Sequence, residues 1–291
     1  MQTSTDSAAT LRQAAVRSIR NSQFGTLIKK SPLWPVLRPR RFHLYCLGAP
    51  RTGTTSMAEL FRKNYRAEHE PGMPEIVPAI EAKIGGRLDD ASAMTFVRDH
   101  DRQLRLEFES SHPMATFAPF LVEAFPEAKF VVTIRDCYSW LDSMIDQHLS
   151  SFSDPNLPEY WTRLNELYHG SRGTAAASGE GHLRSLGLYS LEGYLAYWGD
   201  HYARVFQAIP PDRLLTVRTD RMSREVDLIA EFAGIEPETL DVERRHAHRS
   251  SKKHRLVEAL NQDRLEHVVD MCCRDIMDQY FPEIRSNPLL S

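Results

Sequence analysis

Phe42-His-Leu-Tyr-Cys-Leu-Gly-Ala-Pro-Arg-Thr-Gly-Thr-Thr55 decides how the rest of this chain is read. Phe42 to Leu47 is a short, mostly apolar run ending at Gly48, the pattern of a buried strand. Thr55 to Asn64 then carries Met57, Leu60 and Phe61 at helical spacing. Between them, Gly48 to Thr55 has the G-x-x-x-x-G frame of a phosphate-binding loop. Successive backbone N–H groups in such a turn make an anion nest, and the following helix N-terminus adds partial positive charge. Gly53 supplies backbone freedom, while Thr54 and Thr55 supply hydroxyls. A nucleoside-triphosphate loop wants Lys after its second Gly. Thr54 stands there instead, and the cation of the loop is Arg51. The loop therefore suits a phosphate-like group without the usual Lys and Mg²⁺.

A second unit repeats the grammar. Leu121, Val122 and Phe125 predict a helix closing near Pro126, Phe130 to Ile134 is a β-branched strand, and Tyr138 to Leu149 is helical again. Leu188 to Ile209 predicts a long helix, Arg213 to Val217 a strand, and Glu225 to Ala233 and Arg255 to Met277 two further helices. Alternating strands and helices imply a three-layer α/β fold: a central parallel sheet with helices on both faces. Asp136, following an apolar run, imitates the Mg²⁺ aspartate of an NTPase but reads better as a helix N-cap.

A strand followed by Gly48-Ala-Pro-Arg-Thr-Gly-Thr-Thr55 resembles the 5′-phosphosulfate loop of sulfotransferases that use 3′-phosphoadenosine 5′-phosphosulfate (PAPS). That family also has a second strand ending in Arg, with a Ser eight residues later; here these are Arg135 and Ser143. The resemblance implies that Pro50, Arg51, Thr52, Gly53, Thr54, Thr55 and Ser56 face the 5′ end of PAPS, and that Arg135 and Ser143 hold its 3′-phosphate. It further implies a basic loop near the C-terminus, for which Arg249, Ser250, Lys252 and Lys253 are the natural occupants, although the family's Arg-Lys-Gly form is absent. No metal is expected: His246 and His248 lack a carboxylate or Cys at ligand spacing.

Sulfuryl transfer to an alcohol also needs a base for the acceptor hydroxyl and a cation at the leaving group. Arg51 serves the leaving group. Three residues compete as base. Glu70 matches the position of the Glu in family members that modify tyrosine or sugars. His112 matches the His of the cytosolic phenol and steroid enzymes, though Glu109 stands where their pattern has Lys. His69 is the third. Tyr138, Trp140, Trp161, Tyr168, Tyr194 and Trp198 either line an acceptor pocket or belong to the core, where such spacing is commoner.

The expected organisation is an N-terminal arm over residues 1–41 and a sulfotransferase domain over 42–291, with the Ser-, Gly- and Pro-rich stretch 150–187 as a lid or acceptor loop. Within that stretch, Trp161, Leu164, Leu167 and Tyr168 allow one short amphipathic helix near 158–168. The chain has 291 residues, 42% apolar and 26% charged, with 36 Lys and Arg against 39 Asp and Glu. Such composition is globular, and a net charge of −3 gives no reason to expect a nucleic-acid partner. The expected partner is a small-molecule or glycan acceptor, with a homo-oligomer left open. No run reaches the roughly 18 apolar residues of a membrane helix. Cys46, Cys137, Cys272 and Cys273 fit neither a disulfide framework nor a zinc site, which favours a reducing, cytoplasmic setting. The basic, Ser- and Thr-rich residues 1–31 leave an organellar transit peptide open. Two rival classes stand beside the sulfotransferase: a P-loop kinase or other NTPase, and a non-catalytic nucleotide-binding protein on the same scaffold.

Overall fold

β1 (Leu44–Cys46) is the centre of the molecule, buried along its whole length. The computed structural model describes residues 39–173, 181–243 and 255–290. Within them, β2 (Ala67–His69), β3 (Phe108–Ser110), β4 (Lys129–Ile134) and β5 (Leu214–Arg218) join β1 in a five-stranded sheet of order β2-β3-β1-β4-β5. Every pairing is parallel. Side chains alternate across the strand, so Leu44 and Cys46 face one layer and Tyr45 the other.

The first layer is α1 (Thr54–Arg62), with Met57, Leu60 and Phe61 packed on the sheet, and a later helix, Val226–Ala233, that adds Ile229 and Ala230. Phe61 stacks on Phe108 at 4.3 Å between centroids. On the opposite face lie α2 (Met73–Ile84), α3 (Asp90–Leu104), α4 (Ala118–Ala124), α5 (Cys137–Phe152), α6 (Glu159–His169), α7 (Gly181–Ser185) and α8 (Leu191–Ala208). Val226–Ala233 is then α9, followed by α10 (Gln262–Cys272) and α11 (Arg274–Tyr280) against α8. Among the described residues no helix is long and apolar enough to cross a membrane.

The predicted strand–loop–helix units are present, with three differences. The expected continuous helix over Arg255 to Met277 is broken. A 3₁₀ turn (Leu256–Ala259) gives way to α10, whose N-cap Asn261 accepts from Arg264 N–H at 2.9 Å. Cys273 then ends α10 and starts α11 with a non-helical φ of −125°, its Sγ 3.5 Å from Leu195 O of α8. In the 150–187 stretch the short helix expected near 158–168 is present as α6, but it is packed structure rather than part of a lid: it lies against α2 and α8, with Leu164 fully buried. Finally, Arg40 and Arg41, placed in the arm by sequence, are bound into the amino edge of the sheet through Asp101 and Glu107.

Candidate active site

Every strand is parallel, so the carboxyl ends of all five open on the same edge. After β1 the chain crosses to β2 and β3, then passes back over β1 to β4. Ligands of open α/β sheets bind at such a switch point, and the Gly48–Thr55 loop sits there.

The loop is held from several sides. Trp140 Nε1 donates to Pro50 O at 2.8 Å, and Thr219 Oγ1 donates to Thr52 O at 2.7 Å. Thr52 is fully buried; its hydroxyl donates to Ala49 O at 2.6 Å and lies 2.7 Å from Thr133 Oγ1. That hydroxyl is spent inside the protein rather than offered to a ligand. Gly53 takes a left-handed φ of 95° as the N-cap of α1, with no capping side chain. The first-turn N–H groups of α1 therefore lack a side-chain cap and are available to an anion.

A cleft of about 790 Å³ opens over this turn. Arg51, Gly53, Thr54, Thr55 and Ser56 form one wall, and Arg135, Ser139 and Ser143 another. Arg51 itself adopts φ 64°, unusual for a residue with a side chain. Its Nε donates to Ser143 Oγ at 3.1 Å and its Nη1 to Gln147 Oε1 at 3.0 Å. Arg135 Nε donates to Ser139 Oγ at 2.9 Å. Ser143 thus pairs with Arg51, and Ser139 is the hydroxyl that orients Arg135. Burial lowers the pKa of Arg51, and the nearby Arg135 guanidinium lowers it further. Burial lowers Arg135 as well. Asp146 opposes that shift at Arg51, and Asp136 and Asp142 oppose it at Arg135.

Asp136 is the N-cap of α5, accepting from Ser139 N–H at 2.9 Å. Sequence reasoning missed the far wall: Arg218 at the end of β5 and Thr219, Met222 and Ser223 after it, with Phe281 and Ile284 from the C-terminal segment. Arg218 lies over the Phe281 ring at 4.4 Å. Its signal was present, since Arg218 ends β5 as Arg135 follows β4.

The three base candidates form one cluster at the ends of β2 and β3. Glu70 follows β2 directly, not the α1 helix as its place in sequence suggested. His112 opens a 3₁₀ turn after β3. His112 Nδ1 and Glu70 Oε1 are 2.7 Å apart, and His69 Nε2 is 3.7 Å from the same oxygen. His69 Nε2 also lies 3.1 Å from Thr54 Oγ1 and 3.3 Å from Thr55 Oγ1, tying the cluster to the first turn of α1. Burial alone would raise the Glu70 carboxyl. The His112 and His69 imidazoles outweigh it and hold the group below the usual glutamate range. None of the three lines the large cleft.

Of the six aromatic candidates, Tyr138, Trp140, Tyr194 and Trp198 are buried core. Trp161 and Tyr168, both on α6, instead flank His112, with centroid distances of 6.0 and 6.4 Å. Arg249, Ser250, Lys252 and Lys253, with His246 and His248, lie outside the described residues. Among the described residues no group of three or more His, Cys, Asp or Glu is arranged to hold a metal ion.

A sequence model of the sulfotransferase domain matches residues 43–221, well over half of the chain. Ava biosynthesis cluster protein M of Aspergillus versicolor is 28% identical over 186 residues, covering 58% of this chain and 68% of that protein. Among solved structures, the sulfotransferase STF9 of Mycobacterium avium superposes with a TM-score of 0.52 at 14% identity, over 92% of this chain and 84% of that one. That likeness bears on the fold alone. A sulfotransferase of Alicyclobacillus acidocaldarius gives a TM-score of 0.45 at 15% identity, over 81% of this chain and 96% of that one.

Proposed function

The chain belongs to the sulfotransferase family, and from that premise we propose that it moves a sulfuryl group from PAPS to a hydroxyl of a small-molecule or glycan acceptor. One observation carries the choice of donor. The cleft over the uncapped start of α1 is lined by Arg51, Arg135 and Arg218, and no lysine is among its lining residues. Arg218 is already paired with Asp220 and Glu283. Arg51 and Arg135, with the row of backbone amides, are therefore the groups that fit a ligand with phosphate at two places, and guanidinium binds phosphate as a planar, two-pronged donor. PAPS supplies a sulfuryl group activated by its attachment to a phosphate leaving group. Arg51 and the amides of residues 53–56 would oppose the charge that gathers on that phosphate. Arg135 would take the 3′-phosphate. The Arg51–Ser143 bond would couple the two ends of the donor site. In this reading the basic segment 249–253 completes it.

The relative named for a biosynthesis cluster supports a natural-product acceptor over a macromolecular one. Buried free thiols at Cys46, Cys137 and Cys273 fit a reducing compartment such as the cytoplasm.

Thermal shift tests the donor. The product 3′-phosphoadenosine 5′-phosphate without Mg²⁺ is expected to raise the melting temperature; saturation a hundredfold above Kd stabilises by about 2.7 kcal/mol. Stabilisation by Mg-ATP and not by this nucleotide would replace the sulfotransferase reading with an NTPase.

A further inference from the structure

Glu70 and His112 are read from sequence as rival bases, yet they touch. Glu70 sits at φ 51°, a left-handed conformation that a residue with a side chain adopts only when its surroundings hold it there. Its Oε1 is fixed 2.7 Å from His112 Nδ1. The His112 ring is only 5% exposed and lies nearly parallel to Trp161, at 14° between planes, with Tyr168 meeting it edge-on. The plane of the imidazole is therefore set by α6, and its rotation within that plane by the carboxylate.

An ionised carboxylate only accepts hydrogen bonds. The two imidazoles beside Glu70 favour that ionised form. The contact is then Nδ1–H donating to Oε1, which leaves the lone pair on Nε2, the nitrogen turned away from Glu70. We propose that Glu70 is a positioning residue: it fixes the Nδ1–H form of His112, and His112 Nε2 takes the proton of the acceptor hydroxyl. This rests on the sulfuryl-transfer reading. The acceptor hydroxyl gives its proton to Nε2, and its oxygen forms the new O–S bond. The electron pair of the broken S–O bond leaves with the phosphate, and the imidazolium later returns its proton to water. Glu70 stabilises the positive ring throughout. His69 is set apart by its bonds to Thr54 and Thr55, which direct it to the loop rather than to an acceptor.

The first readout needs no acceptor. In the full chain labelled with ¹⁵N-histidine, and with His112 signals identified through His112→Gln, long-range ¹H–¹⁵N spectra at mildly alkaline pH should show the Nδ1–H form. Glu70→Ala should shift His112 toward the Nε2–H form that free imidazole prefers. Hydrolysis of PAPS, with water standing in for the acceptor, gives the second readout. General-base assistance is worth roughly 10²–10⁴-fold, so His112→Gln should lose at least about a hundredfold in kcat. Glu70→Ala should lose at least about tenfold, with KM for PAPS held within about twofold. Glu70→Gln should recover part of that loss, because its amide oxygen still accepts from Nδ1–H. A wild-type His112 in the Nε2–H form overturns the assignment. So does a Glu70→Gln variant as slow as Glu70→Ala while His112→Gln keeps the wild-type rate. Stabilisation by 3′-phosphoadenosine 5′-phosphate, measured on each variant, reports an intact fold and donor site. Its failure in the wild type would sink the donor reading and leave the tautomer result standing.

Discussion

Arg51 and Arg135 show how much of a site's character lies in single side chains. Each is largely withdrawn from water, and the Arg135 guanidinium makes Arg51 harder to keep charged, while Asp136 and Asp142 favour the charge on Arg135. Ser143 and Gln147 hold Arg51, and Ser139 holds Arg135, so neither can swing far from its neighbour. Holding two guanidinium groups out of water carries a desolvation cost, which a bound anion would offset. Arg135→Ala tests both halves. Affinity for 3′-phosphoadenosine 5′-phosphate, measured by calorimetry, is expected to fall by about 2–5 kcal/mol, the usual range for removing one partner of a buried charge pair. The melting temperature of the ligand-free variant is expected to hold, because the substitution relieves Arg51 of a like charge.

Among the elements, α6 is the short helix that the apolar spacing over 158–168 allows, but its packing partners could not be read from the sequence. Its place depends on how closely α8 lets it approach. Ser190 caps α8 by accepting from Gly193 N–H at 3.0 Å, and His169, the last residue of α6, passes directly over Gly193. A Cβ on Gly193 would stand 2.1 Å from His169 O and 3.1 Å from its carbonyl carbon, both backbone atoms. Gly193→Ala must therefore push the two helices apart. Overpacking of this kind costs about 1–3 kcal/mol, which urea denaturation would read directly. α6 also carries Trp161 and Tyr168 against His112, so turnover is expected to fall while stabilisation by the nucleotide product persists. Equal loss of both would mean that α6 supports the donor cleft as well.

At the scale of the whole molecule, buried histidines set the response to acid. Burial lowers His43, brings His148 and His201 down to about 3, and takes His169 well below the usual range. In the unfolded chain each binds a proton near pH 6.5. Between that value and the folded one, the unfolded state holds more protons, so stability falls as pH falls. His100 opposes them. Burial disfavours its charged form, but Glu109, with Nε2 2.9 Å from Oε1, reverses that and raises it. Its contribution is complete below the unfolded value and is lost as pH rises through the folded one. Among the described residues, four histidines against one predict a lower urea midpoint at about pH 5 than at about pH 7.5. His201→Gln should flatten the difference. A midpoint that rises on acidification would show that the His100–Glu109 pair dominates.

The sequence by itself determined the two strand–loop–helix units, the layered α/β architecture and the cleft-lining residues Arg51, Gly53, Thr54, Thr55, Ser56, Arg135 and Ser143 after β1 and β4. Those signals are local: a buried strand next to a Gly-containing turn needs only its own neighbours to be legible, and Asp136 announces its capping role through the residues it precedes. Three things were decided only by the tertiary structure. β2 and β3 are each three residues long and include Glu68, His69 and Glu109, a polarity that hides a strand until parallel neighbours supply its hydrogen bonds. Arg218 and Phe281 reach one cleft wall from segments 63 residues apart. Glu70 and His112, 42 residues apart, become a single unit because β2 and β3 run side by side and end at the same edge. Chain distance carries no information about that contact; the register of two parallel strands does.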